Sequence, residues 1–173
     1  GGLVFLGGLL AAILVVYLYA QRHNLSLLNL LDVITPGTVL GEALGRVGCY
    51  LNGCCFGLPT QLPWGIKFPF GSLAYMYFPN EGLQPTQLID VFGLLVIFII
   101  LIWLFRARKF SGLPAGRQGQ IFFWGLLLYS IERFGIEFLR FSPIHWLGLT
   151  PSQWIVIPLA IVGIVGLLRA KRA

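Results

Sequence analysis

The stretch VFGLLVIFIILIWLFRARK (91–109) is an unbroken apolar run closed by Arg106, Arg108 and Lys109. A run of this kind crosses a hydrocarbon core of roughly 30 Å as a helix. Lipid offers the backbone no hydrogen-bond partner, so the segment must satisfy its own N–H and C=O groups. Working outward, the same pattern of an oily run ending in basic residues recurs along the 173 residues. The chain is 57% hydrophobic and 10% charged, against about 25% charged in soluble domains. Five spans are predicted, at about 3–20, 27–49, 88–105, 119–139 and 151–168. The expected fold class is all-α, a polytopic helical membrane protein. A single transmembrane domain fills residues 1–173, and the loop 57–87 is its main polar stretch.

The net charge of +6 does not indicate a nucleic-acid partner, because the basic residues sit in short patches at span ends. Arg22 follows the first span, Arg106, Arg108, Lys109 and Arg117 follow the third, and Arg169, Lys171 and Arg172 follow the fifth. This is the positive-inside pattern. With every patch in the cytoplasm the five orientations agree, and loops 50–87 and 140–150 face the outer side. The first residue then also lies outside. The opening GGLVF has no methionine, charged n-region or cleavage site, so it is not a signal peptide and is expected to follow upstream residues. In the outer loop, Trp64, Phe68, Phe70, Tyr75, Tyr77 and Phe78 suit either an ordinary interfacial belt or an arm lying on the membrane.

Charges inside spans are costly and usually face the bundle interior. In SIERFGIEFLRF (130–141), Arg133 and Glu137 are four apart and Glu137 and Arg140 three apart, so all three share a helical face. Glu132 points about 100° away. In the second span Glu42 and Arg46 are four apart, and Asp32 lies near the same side if the helix continues through Pro36. Two readings stay open: a structural ion-pair network, or two arginines arranged to hold a phosphate headgroup bidentately. Gly41, Gly45 and Gly48 form a small-residue stripe for a packed helix or for lipid, and Gly53 and Gly57 suit a turn ending the helix.

Cys49, Cys54 and Cys55 read C-x4-C-C, unlike the repeated C-x2-4-C of zinc knuckles, so no metal site is expected. A Cys49–Cys54 disulfide and plain buried thiols both remain open.

Four segments resemble the prolipoprotein diacylglyceryl transferase family, in the family's order. They are GGLVFLGGLL (1–10), GRVGCYLNG (45–53), QPTQLID (84–90) and YSIERFGIEFLR (129–140). The resemblance implies that the five spans are the last five of seven. It implies transfer of the diacylglyceryl group of phosphatidylglycerol to the lipobox cysteine of a preprolipoprotein, in a bacterial inner membrane, without a metal or organic cofactor. A thioether forms and glycerol phosphate leaves. On this reading Arg46, Arg133 and Glu137 are catalytic. Asp32, Gly45, Gly48, Asn52, Gly53, Gln87 and Arg140 bind substrate, with Asp32 and Glu137 orienting the arginines. The sequence departs from the family pattern at Leu6, Cys49, Cys54, Gln84, Ile89 and Asp90. The phosphate-holding half is retained and the proton-handling half altered. Rival expectations are a lipid-binding protein of the same fold, a transferase with another acceptor, a small-solute transporter and a thiol-redox protein.

Overall fold

The computed structural model describes residues 2–110 and 118–170, without the side chains of residues 2–6, 9 and 108–110. Leu6's side chain, Arg108, Lys109, Arg117, Lys171 and Arg172 therefore lie outside what can be said of side chains. Five long helices fall on the five predicted spans: α1 (Gly2–Arg22), α2 (Leu27–Leu51), α4 (Thr86–Phe110), α5 (Gln120–Ile136) and α6 (Pro151–Ala170). A single short helix, α3 (Leu73–Tyr77), lies in the loop between α2 and α4. Among the described residues there is no strand, only isolated antiparallel bridges. The helices α2, α4 as far as Ala107, and α6 are long and apolar enough to cross a membrane. The chain is thus an all-helical, multi-pass membrane protein.

The bundle is held by α2, α4, α5 and α6. Val39 and Ala43 of α2, Leu94, Ile97 and Leu101 of α4, and Ile121 of α5 form one buried cluster. Among the described residues, α1 touches one other helix, α2. It exposes Leu10, Ile13, Leu14 and Leu18, which a bilayer would cover. A second cluster, Phe56, Ala74 and Leu83, lies under the loop between α2 and α4. There Phe56 stacks on Phe141 with ring centroids 5.8 Å apart, tying the loop to the chain after α5.

Asp32 does not lie with the arginines. The helix does run through Pro36, but fourteen residues of helix carry Arg46 about 21 Å along the axis from Asp32. The Asp32 carboxylate instead accepts hydrogen bonds from the backbone N–H groups of Gly119 and Phe122, both at 2.9 Å. The first N–H groups of a helix have no partner inside it, and the N-terminus is electropositive. Asp32 therefore caps α5 from a neighbouring helix. Asp32→Ala is expected to lower stability by about 2 kcal/mol in a denaturant titration in detergent. An unchanged midpoint would mean that the start of α5 does not depend on this cap.

Candidate active site

The ends of α2 and α5 and the start of α4 meet on the side of the bundle that carries the loop 52–85. Each contributes charge. Within α2, Arg46 pairs with Glu42 at 3.0 Å, one helical turn away. At the end of α5, Arg133 pairs with the C-cap residue Glu137 at 3.1 Å, and Arg140 lies 3.8 Å from the same carboxylate oxygen. The spacing of four gives Glu42–Arg46 and Arg133–Glu137, whereas Arg140 lies beyond the helix, which ends at Ile136 and not near 139, and reaches Glu137 from the bridge that residue 140 makes with Gly57.

Between helices, Asp90 joins the two sets. Its Oδ2 lies 2.9 Å from Arg46 Nε and 3.5 Å from Arg133 Nη1. The Asp90 side chain is 4% exposed and that of Arg133 7%, so both charges have left water. A buried ion is tolerable only with its partner in place, which makes Asp90 the common counter-charge of both arginines. Tyr129 donates to Glu42 at 3.2 Å, holding that carboxylate against Arg46. Glu132 packs against Gly93 of α4, where an added Cβ would meet its Cγ at 2.9 Å.

The other expected site residues divide. Gln87 is fully buried and donates to the Cys54 carbonyl at 2.8 Å. Gly53, in the left-handed region at φ 66°, is covered by Ser72, which an added Cβ would meet at 2.7 Å. Asn52 is the exposed C-cap of α2. Gly41, Gly45 and Gly48 have nothing within 4 Å of an added Cβ. Among the described residues no helix packs on that stripe, so it stays open on the outside of α2. Arg140 is held by backbone: the chain at 139–141 pairs antiparallel with Phe56–Leu58, through Leu58 N–H to Leu139 O at 2.9 Å and Phe141 N–H to Phe56 O at 3.1 Å.

Four buried side-chain oxygens in this region have no hydrogen-bond partner among the described residues: Gln87 Oε1, Asp90 Oδ1, Glu132 Oε2 and Glu137 Oε2. The last sits in ion-pair range of two guanidiniums without an aligned hydrogen bond. Buried acceptors without donors are costly, so this end of the bundle offers guanidinium donors and waiting acceptors together. A cavity of about 210 Å³ adjoins it, lined by Glu137, Arg140, Phe141, Ser142 and the start of α6. A larger hollow of about 760 Å³, bordered by Leu28, Phe123 and Arg169, lies at the opposite end of the bundle and touches none of these charges.

Sequence reasoning passed over Tyr129, read Asp90 only as a departure from the family pattern, and placed Glu132 off the paired face without naming its partner. The signal for Asp90 was present, since an acid inside an apolar run is by default functional.

A family model described as prolipoprotein diacylglyceryl transferase matches residues 1–169. A phosphatidylglycerol–prolipoprotein diacylglyceryl transferase of Finegoldia magna is 33% identical over 172 residues, covering 99% of this chain and 63% of that protein. Proteins of the same name from Clostridium tetani and Idiomarina loihiensis are each 34% identical, over 94% and 99% of this chain and 62% and 61% of theirs. The chain thus spans about six-tenths of the length of these curated relatives. A match over nearly all of its residues means that the chain belongs to the prolipoprotein diacylglyceryl transferase family.

Proposed function

We propose that this chain carries the reacting half of a phosphatidylglycerol–prolipoprotein diacylglyceryl transferase. Residues 1–173 act as one transmembrane unit in a bacterial cytoplasmic membrane, with the charged end of the bundle towards the outer face. The observation that carries the reading is Asp90, which holds Arg46 and Arg133 on two different helices beside one another. Each guanidinium is a rigid fork of five N–H donors. Asp90 and the neighbouring glutamates fix the forks in place, which leaves less entropy to be lost when a phosphate arrives.

The headgroup of phosphatidylglycerol has two kinds of polar group, and the site has a counterpart for each. Its phosphate accepts from Arg46, Arg133 and Arg140. Its glycerol hydroxyls donate to the waiting oxygens of Gln87, Asp90, Glu132 and Glu137. When the bond between the diacylglyceryl carbon and the phosphate oxygen breaks, the electron pair goes to the leaving glycerol phosphate. Preorganised guanidiniums stabilise that developing charge. The acceptor thiol, its proton given up to water, attacks that carbon as a thiolate as the C–O bond breaks, and its sulfur becomes the thioether. Gly45 and Gly48 leave an open strip of α2 against which an acyl chain can lie.

The reading is tested with the purified protein in a bilayer containing phosphatidylglycerol and a lipobox peptide, with thioether product followed by mass spectrometry. Product is expected, and Arg46→Ala is expected to remove nearly all of it. A second reading rests on the charge count: four carboxyls, Glu42, Asp90, Glu132 and Glu137, face three guanidiniums. A protein that only binds the headgroup would bind phosphatidylglycerol, lose affinity in Arg46→Ala and form no product.

A further inference from the structure

Three thiols spread over seven residues of sequence come together at the end of α2. The Sγ atoms of Cys49, Cys54 and Cys55 all lie within 4.8 Å of one another. None is in a disulfide, and all three are half-buried. The geometry points to a three-thiolate site for a zinc ion, with its fourth position open to an incoming thiol.

The convergence has a backbone cause. Gly53 N–H bonds to Tyr50 O at 3.1 Å, and Cys54 N–H bonds to Cys49 O at 3.1 Å. These are the two bonds of a Schellman motif, which folds the second residue past the cap back onto the last turn of the helix. Cys49 and Cys54 occupy the two positions that this motif brings into contact. Cys55, itself at φ 60°, turns its side chain to the same point. Such a conformation is costly for a residue with a Cβ, and the fold maintains it by fastening the loop to α4. Thr86 donates to Cys55 O at 3.1 Å and Gln87 to Cys54 O at 2.8 Å. Backbone fastening of this kind is what orients the ligands of a metal site.

The chemistry of the donor set selects the ion. Thiolates are soft ligands that favour zinc and copper(I) over magnesium or calcium. Zn–S bonds of about 2.3 Å in a tetrahedron place sulfurs about 3.8 Å apart, a contraction of at most about 1 Å from the observed spread. Three protein ligands and one open position is the pattern of a reactive zinc. Three thiolates around Zn2+ carry one net negative charge, and Arg46 stands one helical turn before Cys49.

The open position matters only if the transferase reading holds, and this part of the inference rests on it. A thiol that coordinates zinc is deprotonated outright, its proton passing to water. The bound thiolate would attack the diacylglyceryl carbon, the C–O bond would break, and glycerol phosphate would leave with the electron pair. Zinc would thereby supply the thiol activation that the altered proton-handling residues do not.

The experiment begins with metal content, measured on the purified protein under reducing conditions with no lipid or peptide present. About one zinc per chain is expected, falling to background in the Cys49→Ser/Cys54→Ser/Cys55→Ser variant. Because that variant can fail to fold, cobalt is also added to metal-stripped wild-type protein. Sulfur-to-cobalt charge-transfer absorption with tetrahedral d–d bands is expected. Background zinc together with no charge-transfer band would overturn the site, as would a Cys49–Cys54 disulfide in freshly isolated protein, copper in place of zinc, or zinc retained by the triple variant. The transfer assay then separates the two readings. Zinc without any thioether product would overturn the transferase and leave the metal site standing. Product formed at full rate by metal-free protein would overturn the role of the metal and leave the transferase.

Discussion

Arg133→Lys is expected, under the proposed transferase activity, to lower phosphatidylglycerol turnover by about 10²–10³-fold, the loss seen when one preorganised charge-stabilising donor is removed from an active site. An ammonium keeps the charge and the pairing with Glu137, so the fold should survive with a modest drop in its thermal transition. It cannot keep the planar fork, which reaches Asp90 with Nη1 and Glu137 with Nη2 while presenting further donors to a phosphate. The measurement is initial rate of product against lipid concentration, alongside a melting curve in the same detergent. A rate near that of the unaltered protein would mean that Arg133 holds the helices together and takes no part in the transfer.

Asp90→Ala acts on the architecture first. Removing one partner from a buried ion pair costs about 3–5 kcal/mol, because the other charge is left unmatched in a dry site. Here one deletion strips a carboxylate from Arg46 and Arg133 together, and α2, α4 and α5 keep their apolar cluster but lose the charged contact they share. A large fall in the thermal transition is expected, with Asp90→Asn intermediate because an amide still accepts a hydrogen bond. A melting curve unchanged in Asp90→Ala would mean that Glu132, which packs against Gly93 one turn along α4 from Asp90, takes over as the counter-charge.

What the sequence made legible was local. Helix existence followed from apolar runs longer than any soluble helix needs, and all five spans have their helix. The pairs Glu42–Arg46 and Arg133–Glu137 were readable because a helix fixes neighbours at four residues, whereas Glu137 and Arg140 meet although α5 ends at Ile136, so the shared helical face expected of them is not what joins them. Asp32 was misplaced for the same reason turned around: sharing a face says nothing about distance along the axis, and the cap it provides belongs to another helix. Asp90 was read only as a departure from a family motif. Its function depends on how α4 sits between α2 and α5, which no spacing encodes. The thiols stand between these cases. C-x4-C-C is not a zinc knuckle when treated as free spacing, yet Gly53 after the helix was a signal for a Schellman motif, and that motif brings Cys49 and Cys54 together.

The backbone seam around Gly57 has a consequence for how such proteins diversify. Gly57 N–H bonds to Gln84 O at 3.1 Å, and its neighbours pair with 139–141. A Cβ there would come within 2.7 Å of the carbonyls of both Gln84 and Leu139. The segment between α2 and α4 is therefore not an interchangeable cassette. Grafting residues 52–85 from a relative would leave the recipient's Leu139–Phe141 facing a foreign edge. A working chimera would have to inherit the chain after α5 along with the loop, so recombination breakpoints should fall before Asn52 or beyond Phe141 and spare the stretch between them.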